Sequence, residues 1–330
     1  MWERLWRWRV GVMVAVVGVL AAILRFAGLS YPNALVFDEV FYVRGAYSIL
    51  NLGYEGDWSG ENAWYAQGNY SGLSTDGDFI VHPMVGKLLI ALGMHFFGNN
   101  PFGWRVTTAL LGTATCIIVA LIARHLFRST LWGGVAGILI AIDGMSIVLS
   151  RTALLDNYLA FFVIAAFGLL LVDRAKMWPR VAARADADRA ALGLGEDDRI
   201  PGWGARTGLH WWRIGAIAVL GLAVSTKWSG MYFAVAFLGL SVLFDIVDRR
   251  RAGYDRWFLG SALRAIPTAV GAIALLVSVY VLSWWNWFTS DLSWTANGRT
   301  ITRARASPGC QTPCAHCSIT TSRCGTSTRR

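Results

Sequence analysis

Residues 10–29, VGVMVAVVGVLAAILRFAGL, run directly into residues 30–44, SYPNALVFDEVFYVR, and the junction between them decides the fold. A hydrocarbon core about 30 Å thick needs about 20 apolar residues of helix to cross it. The first stretch supplies that length. The basic, aromatic start at residues 2–9, WERLWRWR, is the flank expected of a cytoplasmic N-terminus. No small-x-small cleavage site precedes Phe37, so the stretch is read as a retained first span rather than a removed leader.

Outward from that junction, apolar blocks recur at 104–125, 131–149, 157–173, 211–226, 230–247 and 258–283, giving seven expected spans. The 330 residues are 55% hydrophobic and only 15% charged, where a soluble domain carries about a quarter charged. The 17 Trp gather near block ends, as interfacial aromatics do. The block Lys87–Phe97 is too short to span. If it crossed, the basic loops at 124–128, 174–206 and 249–251 would all face outward. Laid along the outer surface as an interfacial helix, it puts every one of them inside, and this arrangement is preferred. The outer side then receives 30–103, 150–156, 227–229 and everything after 284. The linker 174–210, charged and rich in small residues, reads as a mobile cytoplasmic loop. The expected class is an all-α polytopic membrane protein, held in a lipid bilayer with residues 1–298 as one module.

The net charge of +10 is uneven. Residues 299–330 hold six Arg and no acid, which leaves 24 basic against 20 acidic groups in the rest of the chain. Basic groups gathered in short loops point to retention on the cytoplasmic side rather than to nucleic-acid binding. Of the five Cys, Cys116 lies within an apolar block and reads as packing.

Four outward features carry candidate chemistry. Residues 30–82 hold seven acids against a single Arg44, and Asp38 and Glu39 open an aromatic stretch (Phe37, Phe41, Tyr42, Tyr47) near the bilayer surface. Alone, such a pair is usually solvated charge. His82 and Lys87 flank the start of the interfacial helix, where Lys87 could simply snorkel to the headgroups. Arg151 and Asp156 sit at the outer end of a span, where they could merely pair with each other. Lys227 lies in a polar break between two short apolar blocks, a costly place for a cation without a partner or ligand.

No Walker loop, GxSxG elbow or dinucleotide fingerprint is present. Acids and cations at one membrane surface suit a phosphate-bearing lipid whose sugar is transferred outside the cytoplasm. Cations would hold the phosphate and stabilise its charge as it departs, while one carboxylate accepts the proton of an incoming hydroxyl. A single base inverts the anomeric centre, whereas retention usually needs a second close carboxylate.

Six ordered motifs then resemble one family, the protein O-mannosyltransferases: Phe37–Tyr42, Tyr70–Leu73, His82–Lys87, Asn100–Arg105, Ser150–Asp156 and Thr226–Gly230. The resemblance covers about residues 10–290, and the Gly, Ala, Val, Arg and Trp usage looks actinobacterial. It implies a GT-C glycosyltransferase fold in a bacterial cell membrane with the site facing the extracytoplasmic side. It further implies a polyprenyl-phosphate mannose donor, and Ser or Thr hydroxyls of translocating proteins as acceptors, with the Sec translocon as an expected neighbour. On this reading Asp38 is the base, Glu39 orients the acceptor, and Arg105, Lys227, Arg151 and His82 hold phosphate and sugar. Asp156 completes a network with Arg151, and Lys87 stands among the substrate-binding residues. No metal ligand set is assigned, and a divalent cation held by the clustered acids is the alternative way to grip the phosphate. Met84 stands where the family usually has a second Pro.

Rival readings keep the fold but change the sugar or acceptor, or make the chain a transporter with polar residues at the bilayer midplane. From about Arg299 the composition turns to Arg, Thr, Ser and Cys. Cys310, Cys314, His316 and Cys317 have zinc-ligand chemistry but cramped spacing. A one-base shift in a feasible codon choice for Cys310–Cys317 yields an ordinary helical sequence. Residues 299–330 are therefore expected to be a disordered, out-of-frame tail.

Overall fold

The computed structural model describes residues 2–60, 65–205 and 208–290. The tail and its Cys cluster lie outside the described residues. Five helices are long and apolar enough to cross a membrane. They are α1 (Trp2–Phe26), α4 (Pro101–Phe127), α7 (Leu155–Leu192), α9 (Gly230–Arg251) and α10 (Trp257–Ser283).

Helices α5 (Thr130–Ile142) and α6 (Gly144–Arg151), bent by 60° at Asp143, pass the same test together and make a sixth candidate span, broken at the bend. The bend frees carbonyls at the end of α5, and the wholly buried Arg25 of α1 collects them. Its guanidinium donates to Ile140 O, Ala141 O, Ala21 O, Ser146 Oγ and Ser150 Oγ, so every one of an arginine's five N–H donors is used. The expected span at 211–226 is the shorter α8 (Trp211–Val224), 14 residues long.

Pairs at both ends of α8 nevertheless register it against α7. Arg213 meets Asp173 at 3.3 Å, and Lys227, just past the other end, meets Asp156 at 2.7 Å. Along α7, Asp156 and Asp173 lie about 25 Å apart at 1.5 Å per residue. Two polar layers thus bracket an apolar zone, whose small side chains let helices approach. At Gly137 an added Cβ would stand 2.7 Å from the Ala120 Cβ.

Between α1 and α4 the chain forms α2 (Glu39–Leu52), a two-stranded antiparallel ribbon of β1 (Gly56–Trp58) and β2 (Leu73–Gly77), and α3 (Val85–Phe97). The ribbon is a small β addition to an otherwise helical chain. Helix α3, the expected surface helix, packs against α2 and α4. After α10 a single short turn of helix, α11 (Trp285–Thr289), follows.

One expectation fails here. The linker 174–210 is not a loose loop, because α7 continues to Leu192. Met177, Val181 and Ala185 recur every fourth residue and are buried. Val181 and Ala185 pack with Ile200, Ala205, Ala252 and Tyr254. An apolar stripe at helical spacing outweighs the charge on the other faces.

Candidate active site

Helix α2 begins immediately after Asp38, so the two adjacent carboxylates point in different directions. Glu39 is wholly buried. Its carboxylate takes Arg105 Nε and Nη2, each at 2.7 Å, together with the amides of Val36 at 2.9 Å and Ala153 at 2.8 Å. Arg105 spends its other N–H groups on Leu29 O, Pro32 O and Ala34 O. All five donors are taken, and the residue is 1% exposed. This pair corrects two expectations: Glu39 has no face left for an acceptor, and Arg105 has no donor left for a phosphate. Together they tie the end of α1, the start of α2, α4 and the α6–α7 junction into one frame.

Lys87 is likewise withdrawn. Its ammonium lies 2.6 and 2.7 Å from the two Glu55 oxygens and 3.2 Å from His82 O. Burial pushes the Glu55 carboxyl up and Lys87 pulls it back down. The pair fastens the base of the ribbon to α3. Around it, Tyr47 stacks on Tyr70 at 4.7 Å, and Tyr65 and the Trp104 indole both donate to Asn99 Oδ1. Arg151 donates to Leu24 O, Ala27 O and Gly28 O. It caps the C-terminal end of α1 and does not pair with Asp156, contrary to expectation.

What remains accessible converges from four segments. Asp38, half-buried behind an exposed Phe37 held at φ +53°, accepts a hydrogen bond from Tyr42 Oη at 3.3 Å. Such a backbone angle is costly for an aromatic residue and is a mark of functional loops. The Tyr42 ring lies 6.1 Å from the His82 imidazole. Burial, and then the charges of Asp38 and Asp156, push the Tyr42 phenol well above its ordinary value. Burial, and then Lys227 and Lys87, hold the His82 imidazole below its ordinary value, against the opposing pull of Asp156 and Asp38. Lys227 is 27% and Asp156 47% exposed, so their 2.7 Å pair is open to solvent. The amide of Val85 donates to Ser225 O at 3.0 Å and pins the start of α3 beside the Lys227 loop.

The arrangement therefore offers a carboxylate, a phenol, a neutral imidazole and an ammonium–carboxylate pair at one end of the helices. Phe41 on α2 and Trp228, next to Lys227, are exposed. Asp38, His82, Asp156 and Lys227 are brought together, whereas Glu39, Arg105, Arg151 and Lys87 build the frame behind them. Sequence reasoning missed Tyr42 as a partner of Asp38, although the four-residue spacing at a helix start was a usable signal. It also missed Glu55 as the partner of Lys87. Among the described residues no three His, Cys, Asp or Glu gather as a metal site.

A family model described as "Dolichyl-phosphate-mannose-protein mannosyltransferase" matches residues 15–180. The polyprenol-phosphate-mannose–protein mannosyltransferase of Mycobacterium tuberculosis is 38% identical over 88% of this chain and 51% of its own length. Its counterpart in Mycolicibacterium smegmatis is 39% identical over 84% of this chain and 50% of its own length. The chain thus spans about half the length of the curated relatives it matches. The solved Saccharomyces cerevisiae protein O-mannosyltransferase Pmt1–Pmt2 complex bound to the sugar donor superposes with a TM-score of 0.57 at 18% identity, over 85% of this chain and 34% of that one. That likeness shows a shared fold, the GT-C type. By family match and by fold, the chain belongs to the dolichyl-phosphate-mannose–protein mannosyltransferase family.

Proposed function

We propose that Asp38, Tyr42, His82, Asp156 and Lys227 form the site at which mannose passes from polyprenyl-phosphate mannose to a Ser or Thr hydroxyl. The supporting observation is their convergence from α2, the start of α3, the start of α7 and the α8–α9 loop at one end of the helices. In this reading the acceptor oxygen attacks the anomeric carbon and the bond from that carbon to the phosphate oxygen breaks. Polyprenyl phosphate leaves, and Asp38 takes the hydroxyl proton. Lys227, aimed by Asp156, holds the departing phosphate, and His82 donates or accepts a hydrogen bond beside it. In-line attack with one base inverts the anomeric carbon.

The site faces the extracytoplasmic side of a bacterial cell membrane, because the basic loops gather at the opposite end of the helices. An acceptor arriving extended from the Sec translocon would meet Asp38 on that side. Lys227 supplies the positive charge that a divalent cation would otherwise provide, so a chelator is expected to leave transfer unchanged.

Membranes carrying the Asp38→Asn chain, expressed to the same level, are expected to lose about a hundredfold to ten-thousandfold of mannose transfer to an acceptor peptide. Undiminished transfer rejects Asp38 as base. Labelled donors bearing other sugars separate this reading from a GT-C transferase of different donor or acceptor.

A further inference from the structure

At the end of the helices opposite Asp38, a cavity of about 750 Å³ opens between α8, α9 and α10. Its polar end is lined by Arg213, Arg249 and Arg264 with one carboxylate, Asp245, and with His210. Arg213 is committed, with Nη1 and Nη2 on Asp245 at 3.0 and 2.8 Å and Nε on Asp173 at 3.3 Å. His210 Nδ1 lies 2.8 Å from the same Asp173. Arg264 donates to the carbonyls of Gly204 and Ala205.

Arg249 is different. It is 7% exposed, yet among the described residues its guanidinium hydrogen-bonds only to Ser261 Oγ, at 2.8 Å from Nη1, and its buried Nε donates to nothing there. It is repelled by Arg264 and Arg213 and attracted by Asp245. A buried guanidinium with an idle donor beside two like charges is costly unless an anion completes the set.

The rest of the cavity is apolar. Ile214, Ile217, Ala272 and Leu275 line it from the charged end toward the middle of the helices. A soluble anion has no use for such a wall, whereas an acyl chain does. We propose that this cavity binds the phosphate of an anionic phospholipid, with Arg249 and Arg264 on the headgroup and the apolar wall against one chain. The site shares no residue with the proposed transfer centre, and binding there stands or falls independently of it.

The test uses the whole chain in detergent, with dioleoyl phosphatidylglycerol, dioleoyl phosphatidylcholine or inorganic phosphate added, and reads retained lipid by native mass spectrometry. One phosphatidylglycerol is expected to be retained about tenfold better than phosphatidylcholine, and Arg249→Gln is expected to remove that preference, the scale of one charge-assisted hydrogen bond. Gly271 lines the cavity with nothing within 4 Å of an added Cβ. Gly271→Phe should therefore block lipid by bulk and serves if Arg249→Gln does not fold. Equal retention of the two lipids, or retention indifferent to both variants, overturns the proposal. Displacement of the lipid by millimolar inorganic phosphate reassigns the cavity to a soluble anion and overturns its lipid source.

Discussion

Two neighbouring carboxylates, Asp38 and Glu39, are expected to respond to substitution in opposite ways. Removing the Glu39 charge leaves Arg105 buried and uncompensated, and breaking one partner of such a pair costs about 3–5 kcal/mol. Glu39→Gln should therefore lower the unfolding temperature in detergent sharply, while Asp38→Asn, at a half-exposed site with one long hydrogen bond, changes stability by about 0.5 kcal/mol or less. Transfer should be lost in both, but only Glu39→Gln should lose it through the fold. Equal melting of the two variants would contradict the clamp.

His82 gives a pH signature. Its folded imidazole titrates below the ordinary value of about 6.5 because burial and two lysines disfavour the cation. Below that pH the unfolded chain takes up a proton that the folded chain resists, so stability falls as pH drops from the ordinary value through the folded one, then levels. His82→Asn should flatten that limb of a melting-temperature profile. At this scale the sequence marked Asp38, His82, Asp156 and Lys227 as residues of interest, but it could not separate Asp38 from Glu39. Adjacent residues at a helix start diverge by about 100°, and which of them turns inward depends on Arg105, far along the chain.

The element that positions the site most directly is α3. Its second residue, Gly86, has no room for a side chain, since an added Cβ would collide with Leu155 of α7 and stand 3.2 Å from Thr226. Gly86→Ala should push the start of α3 off the α8–α9 loop and weaken the Val85–Ser225 bond. Substrate use is the readout, with KM for the donor rising more than kcat falls because His82 and Lys227 move apart. A larger effect on melting than on KM would mean that Gly86 serves packing alone. The apolar blocks predicted the long helices because length in hydrocarbon admits few alternatives. The break at Asp143 was hidden within one block, 131–149, because its stabiliser is Arg25, over a hundred residues away. The extension of α7 was legible in Met177, Val181 and Ala185, yet the surrounding charge masked their spacing.

For the whole molecule, the long apolar helices were readable from hydropathy, and six motifs pointed to the family. The two polar layers tied together by α7 and α8 were not readable, because each layer is closed by pairs between helices. Their separation of about 25 Å has a bearing on the surrounding lipid. It falls short of a typical hydrocarbon core of about 30 Å, and such mismatch costs fractions of a kcal/mol per Å. The protein should therefore draw in the leaflets around it and melt at higher temperature in bilayers of about 14-carbon acyl chains than in those of about 20, making chain length a selector of the membrane regions it occupies.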